Sequence, residues 1–303
     1  MNEGMTKRII GVDIGGTNFR IGAVDGKGNV EAFAKLPVSA VLKTDDVLAD
    51  LSLFIKNYIQ SHGFEVSALS MGFPAPLDRE RKRVLQAPNV AFMENLPVVE
   101  RLEKTLGIPV FIERDVNMLL CCDMAEQNIE GEGVTCAFYF GTGLGNAISI
   151  DGHIFVGKNG AAGELGHIPV DGSDEICGCG NLGCMENLAA GKYLARLSRE
   201  VYPDTPLSLL FTRHGKDELL LRFVDRMAMA VATELNILDP DHVIVGGGVV
   251  NMKDFPKPLF ESQIRFHARK PYPAESVKII YASEKDEKGV VGAALYAAGK
   301  LKI

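Results

Sequence analysis

His167, Cys177, Cys179 and Cys184 bring one imidazole and three thiols into an eighteen-residue stretch, inside the segment Glu164-Leu-Gly-His167 … Cys177-Gly-Cys179-Gly-Asn-Leu-Gly-Cys184-Met-Glu186. Gly172, Gly178, Gly180 and Gly183 let the intervening backbone turn tightly. Three thiolates and one imidazole form one of the closed tetrahedral donor sets of structural Zn²⁺. A disulfide framework competes poorly, because Cys177 and Cys179 are too close to bridge without strain and three cysteines leave one over. The spacing therefore points to a structural zinc. Two carboxylates, Glu164 and Glu186, flank the metal loop, where it could aim them.

Three glycine turns suggest a second chemistry. Asp13-Ile-Gly15-Gly16-Thr17-Asn18 follows one apolar strand pattern and runs into another. Glycine amides approach an anion closely, Thr17 adds a hydroxyl, and Asp13 can hold a cation or its water shell. With no Gly-Lys-Ser/Thr and no helix after it, this is not a Walker A loop. Gly141-Thr142-Gly143-Leu144-Gly145 repeats the design, and Gly246, Gly247 and Gly248 end a third apolar strand. Either of the first two alone is compatible with a plain hairpin, but three such turns in one chain point to nucleotide binding. Asp115, just after a strand and at the start of a helix, is the general-base candidate, with helix capping as its alternative role. Asn89 and Pro74 lie in loops after strands, where ligands collect in open α/β sheets. The basic run at 79–83 reads as a solvated face.

These residues need elements to position them. Apolar alternation and β-branched residues predict strands at 8–14, 19–24, 66–71, 110–113, 134–140, 146–150, 243–245 and 277–281, with a further strand after the Asp25-Gly26 turn. Helical spacing predicts helices from 45 or 46 to 60 and at 96–106, 116–128, 219–238 and 289–298. With an offset of 126, Gly15 meets Gly141, Val24 meets Ile150, and Asp25-Gly26 meets Asp151-Gly152. That repeat suggests a duplicated α/β architecture with a cleft between its halves. The expected division is a smaller N-terminal lobe, 1–114, completed by the C-terminal helix 289–303, and a larger lobe, 115–288, carrying the metal loop.

The composition narrows the class. The 303 residues are 47% hydrophobic and 23% charged, as in an ordinary globular protein. A net charge of −7 argues against a nucleic-acid partner held by phosphate neutralisation. No run approaches the roughly 20 apolar residues of a membrane helix, and nothing resembles a signal peptide, so no membrane partner is expected. Six cysteines suit a reducing cytosol and a cytoplasmic location, with Cys121, Cys122 and Cys136 read as small buried hydrophobes.

Taken together, Asp13-Ile-Gly-Gly-Thr17, Gly72-Phe-Pro74, Pro88-Asn89, Asp115, Gly141-Thr-Gly-Leu-Gly145, the Glu164 to Glu186 constellation and the Gly246 cluster resemble the ROK family of sugar kinases. The resemblance spans essentially the whole chain. It implies an actin-like (ribonuclease H-like) ATPase fold with two lobes, a central cleft and a zinc loop. It also implies Mg²⁺- and ATP-dependent phosphorylation of a hexose, usually at O6, by a homodimer. Asp115 would be the base. Asn89, Glu164, His167 and Glu186 would bind sugar hydroxyls. His167 would also ligate zinc with Cys177, Cys179 and Cys184. Asp13 would organise Mg²⁺, Gly15, Gly16, Thr17, Asn18, Gly141, Thr142 and Gly143 would line the phosphates, and Gly246, Gly247 and Gly248 would lie near the adenosine. Family glucokinases usually carry Asn-Asp where this chain has Arg114-Asp115, and the surrounding residues are similar to the family's D-allose kinases. The resemblance thus implies D-allose as substrate, with Arg114 following the hydroxyl that distinguishes it from glucose; glucose, fructose, mannose and N-acetylmannosamine are the competing sugars. Sugar-sensing regulators share the fold and zinc motif but carry a DNA-binding domain before the first glycine turn. Here Asp13 has only twelve residues before it, so a regulator is not expected.

Overall fold

The computed structural model describes residues 7–85, 94–129 and 131–302. They form two compact units, each built on a five-stranded mixed sheet. The first unit is drawn from Met1–Glu130, Val156–Ala162 and Lys285–Ile303, the second from Gly131–Phe155 and Gly163–Glu284.

In the first unit β1 (Arg8–Ile14), β2 (Asn18–Val24) and β3 (Val30–Pro37) form an antiparallel meander, and β4 (Val66–Phe73) and β5 (Val110–Arg114) add in parallel beyond β1. Side chains alternate across a strand, and β1 uses both faces. Ile10, Val12 and Ile14 enter a core with Leu51 and Ile55 from the helix Val47–His62 and Leu102 from the helix Val98–Leu106. Ile9 lies on the opposite face against Val290, Ala294 and Ala297 of the C-terminal helix Lys288–Leu301. Asp13 shares that second face, and the helix approaches it so closely that a Cβ on Gly289 would come 2.6 Å from the Asp13 Cγ.

The second unit repeats the plan. The strands β6 (Val134–Phe140), β7 (Leu144–Ile150) and the short β8 (His153–Ile154) form the meander, and β9 (His242–Gly246) and β10 (Ile279–Tyr281) extend it in parallel. The bounds of β6 and β7 are those of β1 and β2 shifted by 126 residues. Cys136, Phe138 and Phe140 face a core completed by Phe223, Val224, Met227 and Val231 of the helix Glu218–Leu238.

The division between units falls after residue 130, not at 114/115 as expected, because the helix Asp115–Glu126 packs against the C-terminal helix inside the first unit. A buried ion pair, Asp123 with Lys288, joins these two helices.

A second buried charge corrects the reading of 79–83 as a solvated face at Arg81, while Arg79, Glu80 and Lys82 are exposed. Glu113, at the end of β5, has no exposed side-chain surface and pairs with the Arg81 Nε at 2.8 Å. Its other oxygen accepts the Arg114 amide at 2.9 Å and the Asn117 amide group at 3.0 Å, and Tyr296 donates at 3.4 Å to the oxygen that Arg81 holds. Arg81 also donates to the carbonyls of Asp78 and Gly160, which ties the segment 156–162 to the same node. Breaking a buried pair from one side leaves an uncompensated charge, whereas neutralising both sides does not. Arg81→Met is expected to cost about 3 kcal/mol in urea unfolding, and adding Glu113→Gln to recover most of it. A single variant as stable as the wild type would show that the other three donors suffice.

Candidate active site

In the first unit the carboxyl ends of the parallel strands β1, β4 and β5 gather the candidate residues. Asp13, Gly72 and Glu113 lie in one row of the sheet register, and Arg114 and Asp115 follow directly. Gly72 allows the Asp115 backbone to pass, since a Cβ there would meet the Asp115 Cα at 3.3 Å. Asp115 is the first residue of its helix and accepts the Val116 amide through Oδ1 at 2.8 Å. Helix-start amides favour the ionised carboxylate, but they do not win here. Burial, reinforced by the charge of Asp13, pushes Asp115 up to about 7, against the Val116 amide and the Arg114 cation. The expected preference for ionisation at a helix start is thus overturned by desolvation.

Asp13 stands opposite Arg20 in the β1–β2 register and accepts its Nη1 at 2.9 Å. Burial raises the Asp13 pKa, while Arg20 opposes the rise. Arg20 was missed in the sequence reading. A four-residue turn, Gly15–Asn18, closing Ile14 on Phe19 places residue 20 across from 13, so the strand pattern already held the signal. Arg114 is buried, and its Nη1 donates to the Ala162 carbonyl at 2.8 Å, so part of its guanidinium supports the chain just before Gly163-Glu164. Asn89 lies outside the described residues.

In the second unit the turn after β6 and the end of the parallel strand β9 lie together at the carboxyl ends of these two strands, where Tyr139 pairs with Gly246 and the Val249 amide reaches the Phe140 carbonyl at 2.9 Å. The Gly141 and Thr142 carbonyls are taken by the amides of Gly191 and Lys192, the first residues of the helix Gly191–Glu200. In the first turn, at Gly15–Asn18, the Gly15 amide bonds the Asn18 carbonyl at 2.8 Å and the Thr17 carbonyl accepts the Val38 amide.

The segment Gly163-Glu164-Leu165-Gly166-His167 lies on β7. Gly163 has φ +77° and sits where a Cβ would lie 2.7 Å from the Asn146 carbonyl oxygen, so a larger residue would lift Glu164 off the strand. His167 then turns Nδ1 towards the Cys177 Sγ at 3.6 Å and Nε2 towards Glu164 at 3.6 Å. The Cys179 and Cys184 sulfurs are also 3.6 Å apart, and the four donor atoms lie within 4.8 Å of one another. Bonds of about 2.3 Å to sulfur and 2.0 Å to nitrogen require donor separations of roughly 3.5–3.8 Å in a tetrahedron. The two separations of 3.6 Å match such an ion, and the donor types are those of a structural zinc. Glu186 borders it, accepting the Cys177 thiol at 3.4 Å and the Lys192 ammonium at 2.8 Å. Burial works against the charge of Glu186, but Lys192, the Cys177 thiol and His167 together hold its pKa below the usual range. The remaining cysteines have no such company. Burial pushes the Cys121 and Cys122 thiols up to about 12 and raises Cys136 as well.

Duplicated sheets of this topology, each with a glycine turn between its first two strands, define an actin-like ATPase fold. The chain belongs to the ROK family, whose sequence model matches residues 9–300. It is 28% identical to a glucokinase of Thermotoga maritima over 95% of this chain and 96% of that protein. It is likewise 28% identical to an N-acetyl-D-glucosamine kinase of Photobacterium profundum, over 94% and 97% of the two chains. The crystal structure of a ROK family glucokinase from Streptomyces griseus, in complex with glucose and AMPPNP, superposes with a TM-score of 0.75 at 26% identity and covers 95% of this chain and 98% of that one. Among the described residues, no helix is long and apolar enough to cross a membrane.

The raised pKa of Asp115 has a sign that can be checked. Between the usual carboxylate value near 3.8 and about 7, the folded protein keeps a proton that the unfolded chain has lost. Stability therefore falls as pH rises through that window, and the full penalty applies above it. Asp115→Asn removes the titration, so its Tm relative to the wild type is expected to climb between pH 5 and pH 8. A difference that stays flat or falls would place the Asp115 pKa in the ordinary range.

Proposed function

We propose that the protein is an ATP-dependent hexose kinase transferring the γ-phosphoryl group to a sugar 6-hydroxyl, with D-allose as the preferred sugar. The observation that carries the reading is Asp115, a carboxylate at the carboxyl end of a parallel sheet whose acidity has moved to about 7. A general base works best with a pKa near the operating pH. As the O6–P bond forms and the bond from the γ-phosphorus to the bridging oxygen breaks, Asp115 takes the hydroxyl proton and ADP departs. Catalysis in such a transfer is mostly positioning and charge stabilisation. Mg²⁺, when bound, would neutralise phosphate charge, and Asp13 is the residue that would organise it. The amides and hydroxyls of Gly15, Gly16, Thr17, Asn18, Gly141, Thr142 and Gly143 would line the phosphates, with Gly246, Gly247 and Gly248 beside the adenosine.

Glu164, His167, Glu186 and Asn89 are the proposed sugar ligands. Similarity to a glucokinase and an N-acetyl-D-glucosamine kinase supports the hexose class. The preference for allose rests on Arg114 standing where family glucokinases carry Asn. Its guanidinium, steadied by the Ala162 carbonyl, is a bulkier and charged neighbour for the base. The homodimer implied by the family is part of the same proposal and is read by light scattering.

An assay of ADP release with Mg-ATP across allose, glucose, mannose, fructose and N-acetylmannosamine tests the reading. The expected result is the highest kcat/KM for allose, with Asp115→Asn lowering turnover about 10²–10⁴-fold while sugar binding persists. Highest kcat/KM for glucose would keep the kinase and discard the role given to Arg114. Near wild-type turnover in Asp115→Asn would remove Asp115 as the base.

We propose Zn²⁺ as the ion of the His167, Cys177, Cys179 and Cys184 cluster, supported by a Cys₃His donor set whose four donor atoms lie within 4.8 Å of one another. Its part is to anchor His167. Purified wild-type protein is expected to hold one zinc per chain by mass spectrometry of the native protein, and Cys179→Ser to lose it together with about tenfold in sugar affinity. Unchanged affinity in a zinc-free variant would separate the metal from the sugar site.

A further inference from the structure

Lys192 is bound to the second glycine turn at one end and to Glu186 at the other. Its amide donates to the Thr142 carbonyl at 3.0 Å, beside the Gly191 amide on Gly141 at 2.8 Å, so the helix start is stitched to the turn. Its Nζ lies 2.8 Å from the Glu186 Oε1, with a third of the side chain exposed. Glu186 itself reaches back to the turn, where Oε2 accepts the Leu144 amide at 3.4 Å. A methyl group on Gly143 would lie 2.7 Å from that same oxygen. Oε1 also lies 3.4 Å from the Cys177 Sγ. One carboxylate thus touches the glycine turn, the Cys/His cluster and a single ammonium.

A lysine is suited to change partners at such a place. Its charge is compact, its four-carbon stem is flexible, and it carries three rotatable donors. Phosphate oxygens arriving at the turn would compete with Glu186 for it through charge-assisted hydrogen bonds. We propose that Lys192 is a positioning residue that couples the two ligands: it holds Glu186 while the turn is empty and swings towards phosphate when nucleotide binds, freeing Glu186 to accept a sugar hydroxyl. This rests on the kinase reading of the turn and of Glu186. Its consequence is that nucleotide tightens sugar binding, and by linkage sugar tightens nucleotide binding by the same factor.

The test is calorimetric titration of the full chain with the sugar it turns over best, with and without AMPPNP and Mg²⁺. In the wild type AMPPNP is expected to tighten the sugar Kd about tenfold. In Lys192→Met the two Kd values are expected to agree within about twofold, with melting temperature and metal content unchanged, and Lys192→Arg is expected to restore part of the coupling. Coupling that survives in Lys192→Met overturns the proposal, as does a variant that loses its metal or melts early, because Lys192 would then be structural. A wild type that phosphorylates sugar without any coupling overturns only this inference. A wild type that phosphorylates no sugar overturns the kinase reading as well.

Discussion

The buried carboxylate of Glu113 is the constraint around which the first unit is arranged. A charge withdrawn from water must be answered by partners, and Glu113 collects them from four places: Arg81, the Arg114 amide, Asn117 and Tyr296. Those partners fix the segment around Arg81, the first turn of the helix Asp115–Glu126 and the C-terminal helix against the end of β5. Arg81 extends the grip to Gly160, and Arg114 to Ala162, so the two arginines on either side of this node hold the strap 156–162 in the first unit. The neighbour of this rigid node is Asp115. The residue proposed as the base is thus joined through the backbone to a side chain held by four hydrogen-bond partners.

The same unit tolerates two carboxylates that it does not neutralise fully. Arg20 answers Asp13 in part, and the amide of Val116 answers Asp115 in part, yet burial raises both pKa values and each charge adds to the other's cost. Unspent negative charge of this kind is unfavourable for stability and useful for chemistry: it stores attraction for a cation and keeps a proton acceptor near neutrality. The close approach of Gly289 to Asp13 shows that the fold crowds this carboxylate instead of leaving it in water.

The second unit solves a different problem, that of orienting polar groups on a glycine-rich backbone. Gly163 lets Glu164 and His167 lie down on β7, and the thiols of Cys177, Cys179 and Cys184 close around the imidazole. Glu186 then joins that cluster to the turn after β6, and Lys192 secures the junction from the helix that caps the turn. Loops without regular hydrogen-bond ladders are held here by a few charged and sulfur contacts, each of which touches a group proposed to bind ligand.

Much of this was legible along the chain. The spacing of His167 and the three cysteines defined a donor set, and the shared offset of 126 exposed the duplication that the two sheets display. Strands and helices were readable because their periodicities of about 2 and 3.6 are local properties. The helix Asp115–Glu126 was read within two residues of its ends, yet its assignment to the first unit was not, because that depends on packing against a helix near the other end of the chain. Arg81 looked like one member of a solvated basic run, and only the arrival of Glu113, 32 residues away, made it a buried partner. Asp123 and Lys288 are 165 residues apart, a separation over which no sequence pattern speaks. The acidity of Asp115 shows the division most clearly. The sequence alone determined its position at a helix start, whose amides favour the charge. Only the tertiary structure decided that desolvation and the nearby Asp13 outweigh them, because dielectric surroundings and charge separations exist only once the chain is folded.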